Sequence, residues 1–218
     1  MIVVLGGIKG GCGKTTLATN LAVIRSIIDD RRVLLVDADE QHSTSDWSEH
    51  RESLGINTPW TTIKLTGHAV RTQIMKMGCD YDDIIVDSGG RDTSSQRAAL
   101  TAADIFLTPF QPRSLDVWTI GKVKDLLNEV RAVNPGLVAY AVINRADPQG
   151  KDNIDAMEII RETEGIECLD AIIGQRKAFA NAASEGLSVV ELANPDKKAV
   201  AEIRHLNDII FNAKVTHV

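Results

Sequence analysis

The sequence predicts an α/β fold with a mostly parallel sheet and helices on both faces. Unbroken apolar runs, such as Ile2–Leu5 and Val33–Val36, alternate with segments whose apolar residues recur every three or four positions. Unbroken apolar runs are expected for strands that are buried on both faces of a parallel sheet. The 218 residues suit one domain with a sizeable core, so we expect a single domain over residues 1–218.

The first strand leads into a glycine-rich turn, and a helical pattern follows at once. The segment reads IVVLGGIKGGCGKTT, from Ile2 to Thr16. Glycines let the backbone curl so that successive N–H groups point at an anion, and the helix N-terminus adds positive charge there. Lys14 can reach terminal phosphates, and the Thr15 hydroxyl can ligate Mg²⁺. The segment therefore predicts a phosphate-binding loop.

The loop departs from the general pattern G-x-x-x-x-G-K-[ST], because Ile8 stands where the first glycine belongs and Lys9 follows it. The string K-G-G-x-G-K-T-T resembles the deviant Walker loop of the ParA/MinD family of ATPases. The resemblance implies a P-loop NTPase of the deviant Walker type that sandwiches two ATP molecules in a homodimer. It gives Lys9 a catalytic role across the dimer, on the partner's phosphates. The implied cofactor-binding residues here are Lys9, Gly10, Gly11, Cys12, Gly13, Lys14, Thr15 and Thr16.

Two other interpretations of this loop are open. A dinucleotide site of the form G-x-G-x-x-G would explain acidic residues after the second strand, but it needs glycine at position 16, where Thr16 stands. The second interpretation is an ordinary glycine turn. A lysine and a threonine directly after the last glycine suit terminal phosphates and Mg²⁺, so they favour the phosphate loop over both of these interpretations.

Two acids, Asp37 and Asp39, follow the strand Val33–Val36, at the edge where open α/β sheets bind ligands. The family motif V-D-x-D-P-Q is matched except at Glu40. By resemblance, Asp39 is catalytic and positions the attacking water, and Asp37 lies near the Mg²⁺ ion. Alternatively, both aspartates cap a helix. Ser43 or Thr44 is a further candidate cap for the next helix.

A third acid, Asp87, directly follows the predicted strand Ile84–Val86, and this position predicts that it is the acidic partner of the metal. Gly89 and Gly90 allow the backbone to approach the γ-phosphate. The form D-x-x-G-R-D resembles a branch of short plasmid-partition ATPases. A plain strand end with a flexible turn is the alternative, and Arg91 fits a surface ion pair as well as a switch role.

The rest of the chain continues the alternation of strands and helices. Leu137–Ile143 is a predicted strand that ends at Asn144 and Arg145, and the resemblance implies that Asn144 hydrogen-bonds adenine in a cofactor site that includes Arg145. A turn-forming asparagine is the alternative. Trp118 is an interface candidate beside a helical stripe from Leu115 to Val130. The other predicted elements are strands at Thr61–Leu65, Ala103–Leu107 and Cys168–Ile173, a helix at Ala69–Met77 that Gly78 ends, a helix within 175–192 and a final helix after Pro195.

Composition limits the function. The net charge of −6 restricts any nucleic-acid contact to a local patch. Three isolated cysteines match neither a disulfide framework nor metal-ligand spacing, which suits a cytoplasmic protein and disfavours an iron–sulfur relative. No signal peptide is visible, and no apolar run approaches the roughly 20 residues that cross a bilayer.

The resemblance covers essentially the whole chain, and no DNA-reading segment precedes the loop. It implies a slow, Mg²⁺-dependent and partner-stimulated ATPase that is cytoplasmic and nucleoid-associated. Such a protein dimerises on ATP, binds DNA without sequence preference and segregates plasmid or chromosome DNA with a small ParB-like centromere-binding protein. The candidate DNA contacts are Arg176, Lys177, Lys197, Lys198 and Arg204. Alternatives are a positioner of a protein cargo and a MinD-like membrane ATPase. No membrane contact is expected, because the only strong cation in the tail 205–218 is Lys214.

Overall fold

A computed structural model describes residues 1–112, 119–147 and 151–212. In these parts of the chain, seven strands form one sheet whose neighbouring strands are all parallel, in the spatial order β3-β2-β4-β1-β5-β6-β7. The predicted α/β architecture is confirmed. The strands are β1 (Ile2–Leu5), β2 (Val33–Ala38), β3 (Thr61–Lys64), β4 (Asp83–Ser88), β5 (Ile105–Phe110), β6 (Val138–Ala146) and β7 (Glu167–Gly174).

Helices cover both faces of this sheet. Those in the described ranges are α1 (Lys14–Val23), continued by a π-helical turn (Ile24–Ile28), α2 (Ser43–Ser53), α3 (Ala69–Met77), followed by a 3₁₀ turn (Gly78–Asp80), α4 (Ser94–Leu100), α5 (Ile120–Arg131), α6 (Asp152–Arg161), α7 (Lys177–Ser184) and α8 (Lys197–Asn212). Helices α3 to α6 pack on one face, and α1, α2, α7 and α8 pack on the other. None of the described helices combines the length and apolarity that a membrane span requires.

The strand sequences explain this double coverage. Along β2, Leu34 and Val36 belong to the apolar cluster on one face, whereas Val33 and Leu35 belong to the cluster on the other. Successive side chains of a strand point to opposite faces, so a strand covered on both sides needs an apolar residue at every position. The unbroken apolar runs in the sequence are the direct consequence.

The register of the sheet brings the polar strand ends together. Asp37 on β2 pairs with Asp87 on β4, and Asp87 pairs in turn with Leu5 at the end of β1. The glycine-rich loop leaves β1 immediately after Leu5. Because the carboxyl ends of parallel strands share one edge, this register sets the loop and both acids side by side, where doubly wound sheets bind ligands.

Several element boundaries differ from the predictions. Strand β5 begins at Ile105 and continues through Thr108 and Pro109 to Phe110, because these residues pair with β6. Helices α4 and α6 were not predicted, since their apolar residues lack a long helical stripe. Gly78 does end α3 as predicted. Leu115, Trp118 and the tail cation Lys214 lie outside the described residues.

A buried arginine fixes α2, the helix that follows the two acids of β2. Arg51 is fully buried, and it donates to both carboxylate oxygens of Glu191, at 2.7 and 2.6 Å, and to the carbonyl of Gly186 at 2.9 Å. Its guanidinium lies 5.0 Å from the ring centroid of Trp60, which stacks on Trp47 with centroids 5.7 Å apart. These contacts join α2 to the chain that precedes α8.

Replacing Arg51 with alanine should lower the free energy of unfolding by about 3 kcal/mol or more, because the partly buried Glu191 carboxylate loses its cationic partner and keeps only the backbone N–H of Ser188. Chemical denaturation of wild type and variant measures this. As a control, Arg161→Ala removes an exposed arginine of α6 and should change stability by no more than about 0.5 kcal/mol. Equal stability of Arg51→Ala and wild type would show that the ion pair does not hold α2.

Candidate functional site

The glycine-rich loop connects β1 to α1 in the conformation that its glycines allow. Gly11 and Gly13 have φ angles of 80° and 94°, in the left-handed region that side chains disfavour. A Cβ atom on Gly13 would lie 2.2 Å from Nδ2 of Asn144. Gly13 is therefore required both by its backbone angle and by the close approach of β6.

The two lysines of the loop have different surroundings. Lys14 is 6% exposed, and its Nζ donates to the carbonyl oxygen of Lys9 at 3.2 Å and contacts Sγ of Cys12 at 3.7 Å. The side chain thus folds back over the loop it follows. Lys9 itself is exposed. An ammonium group inside the loop suits a phosphate bound within this subunit, whereas an exposed one can reach beyond it.

Two threonines converge on one oxygen of Asp87, a nearly fully buried acid. Thr15 Oγ1 donates to Asp87 Oδ2 at 2.7 Å, and Thr44 Oγ1 donates to the same oxygen at 2.6 Å. The other oxygen, Oδ1, is buried and has no hydrogen-bond partner among the described residues. Burial raises the pKa of Asp87 to about 6, and the two threonine hydrogen bonds act in the opposite direction.

These groups fit a magnesium ion that is bound together with phosphate. Mg²⁺ prefers oxygen ligands and is usually held by one or two carboxylates plus substrate phosphates. The unpartnered Oδ1 of Asp87 and the Thr15 hydroxyl are such oxygens, and a cation would offset the cost of keeping this carboxylate ionised. No cluster of three or more His, Cys, Asp or Glu among the described residues could hold a metal. Water and a bound phosphate group are the usual further ligands of such an ion.

Asp37 and Asp39 lie in different environments. Asp37 is fully buried, and its carboxylate accepts from the backbone N–H of Ser45 at 2.8 Å and of Asp39 at 3.2 Å. It therefore caps the start of α2, a role that neither Ser43 nor Thr44 fills. The alternative interpretation gave this role to both aspartates, but Asp39 accepts from the backbone N–H of Gln41, which precedes α2. Asp39 is partly exposed and faces Gly89, where a Cβ atom would lie 3.2 Å from Asp39 Oδ1. Of the two acids, Asp39 is the one that lines the cleft.

A cleft of about 590 Å³ opens over the loop. Most of the predicted site residues line it, together with the segments that follow β2 and β4. The lining residues are Gly10, Gly11, Gly13, Lys14, Thr15, Thr16, Ala38, Asp39, Glu40, Gln41, Ser43, Gly89, Gly90, Arg91, Thr93, Ser94, Ser95 and Arg145. The predicted nucleotide-site residues that do not line it are Lys9, Cys12, Asp37, Asp87 and Asn144.

The end of β6 supports the loop from the opposite side. Asn144 is buried, and its Nδ2 donates to the carbonyl oxygen of Cys12 at 2.6 Å. The amide thus holds the phosphate loop, and a contact with adenine stays a prediction. Arg145 follows with a φ of 54°, a left-handed angle that is uncommon for a residue other than glycine, and its exposed side chain lines the cleft.

The predicted DNA-contacting residues divide into two groups. Arg176 is committed to acids, because its Nε donates to Glu202 Oε2 at 3.0 Å and its guanidinium lies 3.8 Å from Asp196. A phosphate would have to compete with these carboxylates. The other four side chains are exposed, and their role stays a prediction: Lys177, Lys197, Lys198 and Arg204.

Two residues that organise the site were not predicted from the sequence. Thr44 was considered only as a helix cap, and nothing in the sequence indicated its bond to Asp87. Gln96 on α4 is fully buried, and its Oε1 accepts from the backbone N–H of Gly7 at 2.8 Å and from Ser88 Oγ at 3.0 Å. It links the start of the loop to the end of β4, and only the tertiary structure reveals that link.

Comparisons with known proteins agree with this geometry. A model of the CobQ/CobB/MinD/ParA nucleotide binding domain matches residues 3–189. A protein of Gloeobacter kilaueensis called "maintenance of carboxysome distribution protein A" is 33% identical over 211 residues, which cover 94% of this chain and 91% of that one. A protein of the same name from Halothiobacillus neapolitanus is 29% identical over 210 residues, 94% of each chain. The structure of a plasmid partition protein of Borrelia burgdorferi bound to AMPPNP superposes with a TM-score of 0.76 at 21% identity, and covers 97% of this chain and 98% of that one.

Replacing Thr44 with valine should raise the Mg²⁺ concentration needed for nucleotide binding by about tenfold, because the Asp87 carboxylate loses one of the two donors that orient it. Titrating Mg²⁺ against the protein with ATPγS in a calorimeter measures this. Thr44→Ser keeps the hydroxyl and should behave as wild type. An unchanged Mg²⁺ requirement in Thr44→Val would show that this hydrogen bond does not position the carboxylate.

Proposed function

The chain belongs to the CobQ/CobB/MinD/ParA family of nucleotide-binding domains, and from this we propose that it is an Mg²⁺-dependent ATPase whose ATP-bound dimer positions a protein cargo. The observation that carries the ATPase proposal is the buried carboxylate of Asp87. One of its oxygens is bound by Thr15 at the end of the phosphate loop, and the other has no partner among the described residues. Thr15 and Asp87 would hold a Mg²⁺ ion at that place, where its charge would offset the negative charge on the phosphate oxygens.

The loop residues supply most of what phosphoryl transfer requires, which is positioning and charge stabilisation. Backbone N–H groups of the loop and Lys14 bind the phosphates, and Thr15 with Asp87 holds the metal. Asp39 lines the cleft, so its carboxylate can orient a water molecule toward the phosphates. Asp37 caps α2 and so supports the strand end, and its place near the Mg²⁺ ion stays a prediction.

The dimer proposal rests on Lys9. Its exposed side chain begins the loop, whereas Lys14 already occupies the interior. One lysine inside the loop is enough for phosphates of the same subunit. We assign the second one to the phosphates of a partner subunit, as the resemblance to the deviant Walker loop implies.

The relatives favour a protein cargo over DNA segregation. The two curated relatives reported above cover nearly the whole chain, and both are named for maintaining carboxysome distribution. The sequence motifs favour plasmid or chromosome segregation over positioning of a protein cargo, but these relatives support positioning of a protein cargo better. The cargo of this chain is therefore proposed to be a large protein assembly, which an adaptor protein connects to the ATPase.

DNA segregation with a ParB-like partner remains the second candidate. A plasmid partition protein shares the fold, and the exposed cations of the carboxyl third fit a DNA contact. In either case the dimer can bind and move along DNA of any sequence, because phosphate contacts carry no sequence information. Such a contact with DNA would also place the protein on the nucleoid.

Two lysine variants test the ATPase and dimer proposals separately. Lys14→Ala should weaken ATP binding or turnover by at least tenfold, because a charge-assisted contact with phosphate is lost. Lys9→Ala should keep the affinity of the monomer for ADP and lose both dimerisation with ATPγS and hydrolysis. Calorimetry, a phosphate-release assay and analytical ultracentrifugation measure these properties. Wild-type turnover in Lys14→Ala would refute the ATPase proposal, and a Lys9→Ala protein that still dimerises would refute the role across the dimer.

Deleting the gene in the source organism distinguishes the two cargoes. Protein-cargo positioning predicts that a large protein assembly loses its regular spacing in the cell while plasmids and chromosomes are inherited at wild-type frequency. Fluorescence microscopy and plasmid-loss assays measure both. Frequent loss of a plasmid or chromosome, with protein assemblies evenly spaced, would instead identify DNA segregation as the function.

A further inference from the structure

The segment after β4 packs directly on the phosphate loop. A Cβ atom on Gly90 would lie 2.5 Å from Cα of Gly10 and 2.6 Å from its nitrogen, so a side chain at position 90 would collide with the loop backbone. Arg91 is the next residue, and it lines the cleft. The close packing of two glycines therefore places the backbone of Arg91 beside the start of the phosphate loop.

Neighbouring contacts fix this segment and leave the arginine uncommitted. Asp92 is bound in a bidentate manner by Arg97 of α4, with both N–O distances at 2.6 Å, and the Thr93 hydroxyl accepts from the backbone N–H of Gln96. Arg91 is exposed and forms no hydrogen bond or ion pair with any residue in the described ranges. The adjacent acid is thus satisfied by Arg97, and the surface ion pair expected as one alternative for Arg91 is absent from the described part of the structure.

The position of Arg91 relative to the other groups points to the terminal phosphate. Gly89, two residues before it, faces Asp39, the acid proposed to orient the attacking water. The other exposed arginine of the cleft, Arg145, lies beside Gly13 at the opposite end of the loop. Arg91 therefore lines the side of the cleft where Asp39 would orient the attacking water.

We propose that Arg91 binds the terminal phosphate of the nucleotide and so makes the site prefer a triphosphate to a diphosphate. A guanidinium group offers planar, paired donors that match phosphate oxygens. The acidic side chains of Asp39 and Glu40 line the cleft as well as Lys14. A phosphate group bound there therefore needs the positive charge of Arg91 in addition to that of Lys14. This inference rests on the proposed nucleotide-binding function and adds to it a residue that distinguishes ATP from ADP.

Calorimetric titration with ATPγS and with ADP, both with Mg²⁺, tests the inference. Arg91→Ala should bind ATPγS about tenfold to a hundredfold more weakly than wild type, and its affinity for ADP should stay within about twofold. Arg91→Lys should lie between the two, because it keeps the charge and loses the paired donors. Thermal unfolding of each variant verifies that it is folded.

The matched control is Arg161→Ala, which removes the same charge from an exposed site on α6. Arg161 lines a groove with residues at the amino-terminal ends of β6 and β7, away from the cleft, so both affinities should be unchanged. Equal weakening of ATPγS and ADP in Arg91→Ala, no weakening of either, or the same loss in Arg161→Ala would overturn the inference. Failure of the wild type to bind either nucleotide would instead refute the proposed function.

Discussion

The site depends on one carboxylate, that of Asp87, which three segments of the chain share. Asp87 is the penultimate residue of β4, Thr15 binds its side chain from the first turn of α1, and Thr44 binds it from the first turn of α2. Because the group is buried, each of these hydrogen bonds is costly to lose. The carboxylate therefore fixes the phosphate loop relative to the segment that carries Asp39. A cation bound to this carboxylate would therefore affect both segments together.

The surrounding structure holds these segments from outside. Arg51 and Glu191 join α2 to the chain before α8, so Thr44 stands on a helix with little freedom to move. On the other side, Gly90 packs on Gly10 and leaves no space between the two loops. A site supported in this way is organised before its ligand binds, which is the condition for electrostatic stabilisation of a phosphoryl group.

The sequence predicted the fold class and the phosphate loop, because both depend on local patterns. Buried strands need an apolar residue at every position, and left-handed angles near an anion need glycine, as at Gly13. What it could not predict was pairing across the chain. Asp37 and Asp39 belong to one motif, yet one caps a helix and the other lines the cleft. Likewise, Arg51 bonds with Glu191, 140 positions away, through a contact that only the folded chain defines.

We propose that Asp87 would hold the Mg²⁺ of a bound nucleotide, and calorimetry on the wild type and Asp87→Asn is the sharpest test of this role. Asparagine preserves the shape of the side chain and removes its charge. We expect Mg²⁺ to tighten ATPγS binding to the wild type by about tenfold or more, relative to the same titration in EDTA, and we expect this gain to disappear in Asp87→Asn. An equal gain from Mg²⁺ in both proteins would contradict it.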